Sequence, residues 1–502
     1  MAVGSSLSSF RVGTLSSFCH PELVLLSCSI KMSIEGLGSM EAAGIIRALL
    51  LSLAIPILGA GASMAQNAAT STPDERQSST CIPPEYCART DRRVEPYPDK
   101  PPTIGPAGSI IHDPTFGSRI LRVTDSKTDP VQAGRSLVTP SSAEQNSWNK
   151  NSTMFYVTRT GGSFLLYNFD PATMTARLST TPKPKLGGEP EFSFTQASAL
   201  YGMNRQDRAI QQYDAASGHV SVVADPFKCI KLRSEDFGYL TSVSADDNRF
   251  LAILGPRQDD NYVLYVYDRI QGCRWYNTQT GEIGGQWGPK GSISIPDRFT
   301  LHNARMAKSG KFVYMTPGRG HNWAVWEVDT MNLYVCKRGC PAHHVLGYSH
   351  IVGPSSERHP LDSWVRPLNN LEAWKPIIPG LEQAKGFWYD SHWSWNNVDP
   401  NDSAPVCFST YRPTNPNTPG TPLLVTGPWE NEIDCVEMDG KGSKAWRFAH
   451  TYSTARNGFW STPRGNVSQD GHFFMFTSDW EGQLGKTPDG KYRTDVFIVE
   501  LK

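Results

Sequence analysis

The chain runs to 502 residues, 39% hydrophobic and 19% charged, with 14 Trp, 18 Tyr and 21 Phe. So much apolar material excludes disorder for most of its length, and 43 Gly with 37 Pro suit a turn-rich β protein better than a helical bundle. Lys plus Arg and Asp plus Glu both number 48, and with no basic run the electrostatic footprint of a nucleic-acid binder is missing.

Ala48 to Leu58 form a short apolar run, preceded by Arg47 and followed by Gly59 to Ala65, which ends with small residues at the −3 and −1 positions, Ser63 and Ala65. This is the pattern of a secretory signal peptide cleaved after Ala65. The run is proline-broken and too short for a comfortable membrane span, an uncleaved anchor being the other reading. Met32 and Met40 are better starts for such a signal than Met1, so residues 1–39 are expected to carry no function. Residues 1–65 therefore read as an extension and signal peptide, and 66–107 as a Ser/Pro-rich linker arm. Residues 108–502 read as one domain of a secreted or periplasmic protein, expected to be a monomer with no stable membrane span.

Cysteine usage agrees with export. Cys19 and Cys28 lie upstream of the signal, and the other eight fall as neighbours: Cys81/Cys87, Cys229/Cys273, Cys336/Cys340 and Cys407/Cys435. An even number in an exported chain favours disulfides, with connectivity left open. Cys336-Lys-Arg-Gly-Cys340 has the look of half a zinc site, but no second pair of that kind accompanies it, so a disulfide is favoured.

From about residue 108 the text becomes short alternating strands separated by turn residues, with helical periodicity almost absent. A repeat emerges along this stretch: a turn, a strand, a polar loop, then a second strand closing on Asp. Asn151–Val157 precedes Leu165–Asp170, and Ala199–Met203 precedes Ile210–Asp214. Asp247–Ile253 precedes Val263–Asp268, and Lys308–Met315 precedes Trp323–Asp329. Val406–Ser409 precedes Ile433–Asp439, and Ser468–Phe476 precedes Asp495–Leu501. A seventh unit, between about 345 and 385, is blurred by Pro and Trp. Repeats of this length, each with four short strands, predict an all-β, seven-bladed β-propeller of antiparallel blades, with eight blades as the alternative. The strands near Ile110 and at Arg119–Val123 are expected to complete the blade begun near Trp460 and so close the ring like a clasp.

Ser468-Gln-Asp-Gly with Phe474-Met-Phe-Thr-Ser-Asp-Trp480 resembles the blades of TolB-type propellers and of oligogalacturonate-lyase-like propellers. The likeness covers most of 108–502 through short, fold-level motifs, and so speaks for architecture more than chemistry.

In a propeller the innermost strands start near one face of the central channel. Aligning the repeats on their turns predicts a funnel lined by Glu144 to Asn146, Glu189, Glu191, Tyr239, His302, Asn303, His350, His392 and Arg464, with Arg319, His321 and Trp480 on adjacent loops. Three histidines at equivalent positions of three blades, His302, His350 and His392, are candidate ligands for a divalent transition metal such as Mn or Zn. The same set offers acid–base groups instead, and the structural alternative, weighed above both, is that they hydrogen-bond between blades. The resemblance implies more: such enzymes cleave uronic-acid polymers by β-elimination, a cation neutralising the uronate and a His or Tyr removing the C5 proton. Transferred here, His321 or Tyr348 is the candidate base, and Arg305 or Arg464 holds the carboxylate. Glu144, Asn146, Asn303, Arg319, Trp393 and Trp480 are candidate sugar contacts. The alternative function is a non-catalytic, TolB-type propeller for ligand or protein binding in the cell envelope. His343 and His344 read as loop residues. The Phe387–Trp395 segment suits either sugar stacking or blade packing. No GxSxG elbow occurs, and no glycine pair is followed by a helix that would cradle phosphate.

Overall fold

The computed structural model describes residues 81–502 except 82, 161, 183–184, 205–207, 234–235, 257–259, 294–297, 319–322, 338–339, 342, 355–362, 379–389, 397, 412–426 and 439–443. The signal segment and the sites of Arg319 and His321 lie outside the described residues. Among the described residues the strands form seven antiparallel sheets and there is no α-helix, only four short 3-10 turns. No helix there is long and apolar enough to cross a membrane.

Alternation makes each strand two-faced, and this is what closes the ring. In sheet one, Phe155, Val157 and Leu165 pack with Met475 and Ile498 of sheet seven. Their sequence neighbours Tyr156, Phe164 and Leu166 point the other way, onto Phe192, Leu200 and Tyr213 of sheet two. The same handover repeats five more times. Sheets two and three share Tyr201, Phe250 and Tyr265; three and four share Ile253, Met315 and Trp326; four and five share Tyr314, Leu346 and Ile351. Sheets five and six meet through Val352, Trp393 and Phe408, and six and seven through Ile433, Phe474 and Phe497. Seven buried clusters for seven sheets, the last returning to the first, make a seven-bladed β-propeller.

Five sheets have four strands; sheet three has six, and sheet seven has five. Sheet seven carries the expected clasp. Gly465–Val467, Phe473–Ser478 and Asp495–Glu500 are joined by Arg119–Arg122 and Ile110–His112 from the start of the domain. The register sets Ile120 opposite Val499 and Leu121 opposite Ile498. Two ion pairs lock it: Arg119 grips Glu500 through Nε and Nη2, both at 2.7 Å, and Arg122 Nη2 meets Asp495 at 2.6 Å. The blurred seventh unit is an ordinary sheet, built from Val345–Leu346, His350–Pro354, Ser363–Pro367 and Lys375–Pro376.

Residues 83–105 run along sheets six and seven. Tyr86 inserts edge-on against Trp446 and Phe448, Arg89 bridges to Arg447, and Trp480 Nε1 donates to Pro102 O at 2.9 Å. All four neighbouring cysteine pairs are disulfides. The Cys336–Cys340 bond disposes of the half zinc site.

Candidate functional site

The site begins with an interruption in sheet one. Its innermost strand opens as Leu137–Val138, paired with Arg159 and Thr158, and rejoins the partner strand at Trp148, opposite Phe155. Residues 139–147 leave the ladder between those points and bulge towards the propeller axis. Both neighbouring sheets hold this loop. From sheet seven, Asn466 Nδ2 donates to Ala143 O (3.0 Å) and Gln145 O (2.9 Å), while Thr139 Oγ1 donates to Arg464 O (2.7 Å). On the other side Asn146 donates from Nδ2 to Phe192 O (2.8 Å) and from its backbone N–H to Glu191 Oε2 (2.9 Å). The loop thereby delivers Glu144 and Gln145 to the axis as a plug.

Above the plug lies a cavity of about 660 Å³, with Ser141 to Gln145 as its floor. Its walls come from the innermost strands and the turn before one of them: Tyr239, His302, Asn303, His343, His344, His392 and Trp393, with Arg305 bordering both this cavity and the layer beneath the plug. The rim is a 3-10 turn, Gly458–Ser461, which raises Phe459 (46% exposed) and Trp460 (48% exposed) at the mouth. The Arg464 guanidinium sits 4.2 Å and 5.3 Å from their ring centres and supports them by cation–π contact.

Beneath the plug the axis is filled with paired charge. Arg305 Nη1 donates to Gln145 Oε1 (2.8 Å), Glu191 Oε1 (3.2 Å) and Thr241 O. Lys308 Nζ donates to Leu346 O at 3.2 Å, and burial drives its pKa down. A void of about 20 Å³ lies among these residues, room for about one water.

Two groups of titratable side chains face the cavity. On one wall His343 Nδ1 donates to Asp390 Oδ1 (2.9 Å) and Ser391 O (3.1 Å). Its ring stacks on His392 with centroids 4.4 Å apart, and Tyr411 OH donates to Asp390 Oδ2 at 2.8 Å. Burial opposes charge on His343, but the bond to Asp390 outweighs it and raises the pKa. Burial likewise works against ionised Asp390, and the His343 imidazolium holds it well below the usual carboxylate range. His392 goes the opposite way from His343: burial first, then its charged neighbour, keep it neutral well below pH 6.5. The two adjacent imidazoles are thus shifted in opposite directions, the pattern that separates an acid from a base. On the floor, burial pushes Glu144 up to about 8, and its Oε1 lies 3.3 Å from His344 Nε2.

Of the residues singled out by sequence, Glu144, His302, Asn303, Arg305, His392 and Trp393 line this cavity. Several others do not. His350 opens the second strand of sheet five, not the first, and pairs through Nδ1 with Asp402 at 2.9 Å. Tyr348 lies in the turn after that sheet's innermost strand, at the far end from the cavity, with its backbone on Asp402. Trp480 is fully buried between Tyr452 and Phe497 in the core of sheets six and seven. Asn146 and Arg464 act behind the surface, the one anchoring the plug and the other the rim. The expected metal centre is not assembled: with His350 elsewhere, no three His, Cys, Asp or Glu side chains among the described residues gather to hold an ion. Sequence reasoning missed His343, His344, Asp390, Tyr411 and the Phe459–Trp460 rim. The adjacent histidines were on view, but the innermost strand they precede is only Val345–Leu346, so the repeat aligned one strand too late.

No family model and no curated protein matches this chain. Among solved structures, an oligogalacturonate lyase in complex with manganese is similar at 13% identity and a TM-score of 0.48, over 83% of this chain and 98% of that one. TolB from Acinetobacter baumannii shows 14% identity and 0.29, over 51% and 59%. The WD40 repeats of RRP9 show 11% and 0.39, over 78% and 100%. These are likenesses of fold, and the chain stands, on its own seven sheets, as a β-propeller with a plugged funnel.

Proposed function

We propose that the funnel binds an acidic carbohydrate and cleaves a uronate-containing chain by β-elimination. The observation that carries this reading is the His343–His392 stack on the cavity wall, where Asp390 raises the pKa of one ring and burial lowers that of its neighbour. A uronate's C5–H becomes removable when positive charge neutralises the adjacent carboxylate; the His343 imidazolium and the Arg305 guanidinium supply that charge. His392, uncharged, is the base that takes the proton. The exposed rings of Phe459 and Trp460 give the apolar face of a sugar somewhere to rest.

The test is to incubate the purified protein with pectate, ulvan and other uronate polymers and follow the ultraviolet absorbance of unsaturated products. Absorbance should rise with the wild type and not with His392→Ala. A flat trace on every polymer overturns the lyase reading. If calorimetry then still detects uronate binding, the funnel is a binding site alone, as in the non-catalytic alternative.

A further inference from the structure

The plug is unnecessary for the ring. Val138 and Trp148 both pair with the same neighbouring strand, so a direct strand would close sheet one, yet residues 139–147 are carried to the axis. What they carry there is unfavourable. Glu144 has a side chain only 9% exposed, and its Oε2 is buried with no hydrogen-bond partner. An unsatisfied buried carboxyl oxygen costs on the order of 1–3 kcal/mol and calls for an explanation. The same residue borders both the cavity above and the small void below.

We propose that Glu144 is the acid that protonates the departing sugar oxygen during the elimination, with His344 as its positioning residue. This rests on the lyase reading above. In the step, the C5–H electron pair becomes the C4=C5 double bond and its proton passes to His392. The C4–O bond breaks with its electrons on oxygen, which takes the Glu144 proton. Glu144 is left as a carboxylate near Arg305, Lys308 and His343, whose positive charges favour it, while Glu191 opposes it. His392 then releases a proton to water and Glu144 takes one back, so no other reactant is consumed. Burial keeps the carboxyl protonated up to about pH 8, so the acid is loaded at neutral pH.

The experiment compares two uronate substrates, one with a sugar and one with a nitrophenol leaving at C4. Glu144→Gln should lower kcat for the sugar leaving group by about 10²–10⁴-fold. It should act within tenfold of wild type on the nitrophenyl substrate, whose anion departs unprotonated. The fall of wild-type kcat/KM near pH 8 should vanish in this variant, and the wild-type-minus-variant infrared difference at pH 6 should show the loss of one protonated carboxyl, over those that buried Glu432 and Asp434 and half-buried Glu481 retain. Glu144→Asp, which keeps an acid in retreat, should fall between. Equal losses on both substrates, or no loss on either, overturn the proposal while leaving the lyase reading in place. No elimination by the wild type on any uronate overturns both.

Discussion

Replacing Asn466 by Ala tests whether the plug is held as described. The Asn466 amide donates to two buried carbonyls, Ala143 O at 3.0 Å and Gln145 O at 2.9 Å. Removing it forfeits about 1 kcal/mol of net hydrogen bonding for each and leaves acceptors unsatisfied, for a total of about 2–5 kcal/mol. The loss falls on one loop, so the sensitive assay is hydrogen exchange resolved to residues. The amides of Gln145, Asn146 and Ser147, bonded within the plug or to Glu191, should exchange about a hundredfold faster for a loss of ~3 kcal/mol. Those of the Arg119–Arg122 clasp should not change. Global melting should drop by only about 3 °C, since unfolding entropy scales with chain length. Asn466→Asp should be worse than Ala, because it turns a carboxylate onto two carbonyl oxygens. Unaltered exchange at 145–147, or an Asp variant as stable as wild type, would refute the account of how the funnel is sealed.

Phe459→Ala and Trp460→Ala, both exposed at the rim, should change stability by less than about 0.5 kcal/mol yet weaken oligosaccharide binding roughly tenfold each; calorimetry of wild type and variants decides it. The His343–Asp390 pair should give a stability gap that depends on pH. The raised His343 contributes below its ordinary 6.5 and loses that contribution as pH rises through its folded value. The depressed Asp390 contributes above its ordinary 3.8 and loses it in stronger acid. Denaturant titration should therefore show His343→Gln less stable than wild type by a wider margin at pH 5.5 than at pH 9, and an unchanging gap contradicts the pairing. Among the disulfides, loop closure predicts that removing Cys229–Cys273, separated by 44 residues, costs about 4 kcal/mol, against about 2 for Cys336–Cys340, separated by 4. Equal melting losses for the two double-alanine variants would show that chain entropy is not the controlling factor.

The ring was legible because its cause is local and repeated. Units such as Val263-Leu-Tyr-Val-Tyr-Asp268 state their two faces in their own alternation, and the unpaired strand at Arg119 had one sheet lacking partners. The cysteine pairs were legible for the same reason: Cys407 and Cys435, for instance, stand directly opposite on adjoining strands. The site was only half legible. His302 and His392 start well-formed strands, so the repeat located them. The repeat put Glu144 to Asn146 at the funnel but not the bulge that carries them, since Thr139 to Ser147 is a polar stretch whose course is set by donors from Asn466 and acceptors on sheet two, hundreds or tens of residues away. Trp480 deceived because an aromatic after Ser-Asp reads as an exposed loop, whereas a carbonyl from Pro102 caps its indole and seals it inside.

The clasp has a consequence for biosynthesis. Arg119–Arg122 leaves the ribosome early and then waits for Asp495–Glu500, nearly the whole length of the domain later. Until that moment every nascent intermediate is an incomplete circle with two raw borders, and such borders invite pairing with foreign chains. Premature termination anywhere upstream of Asp495 should consequently yield not a slightly smaller protein but an insoluble one.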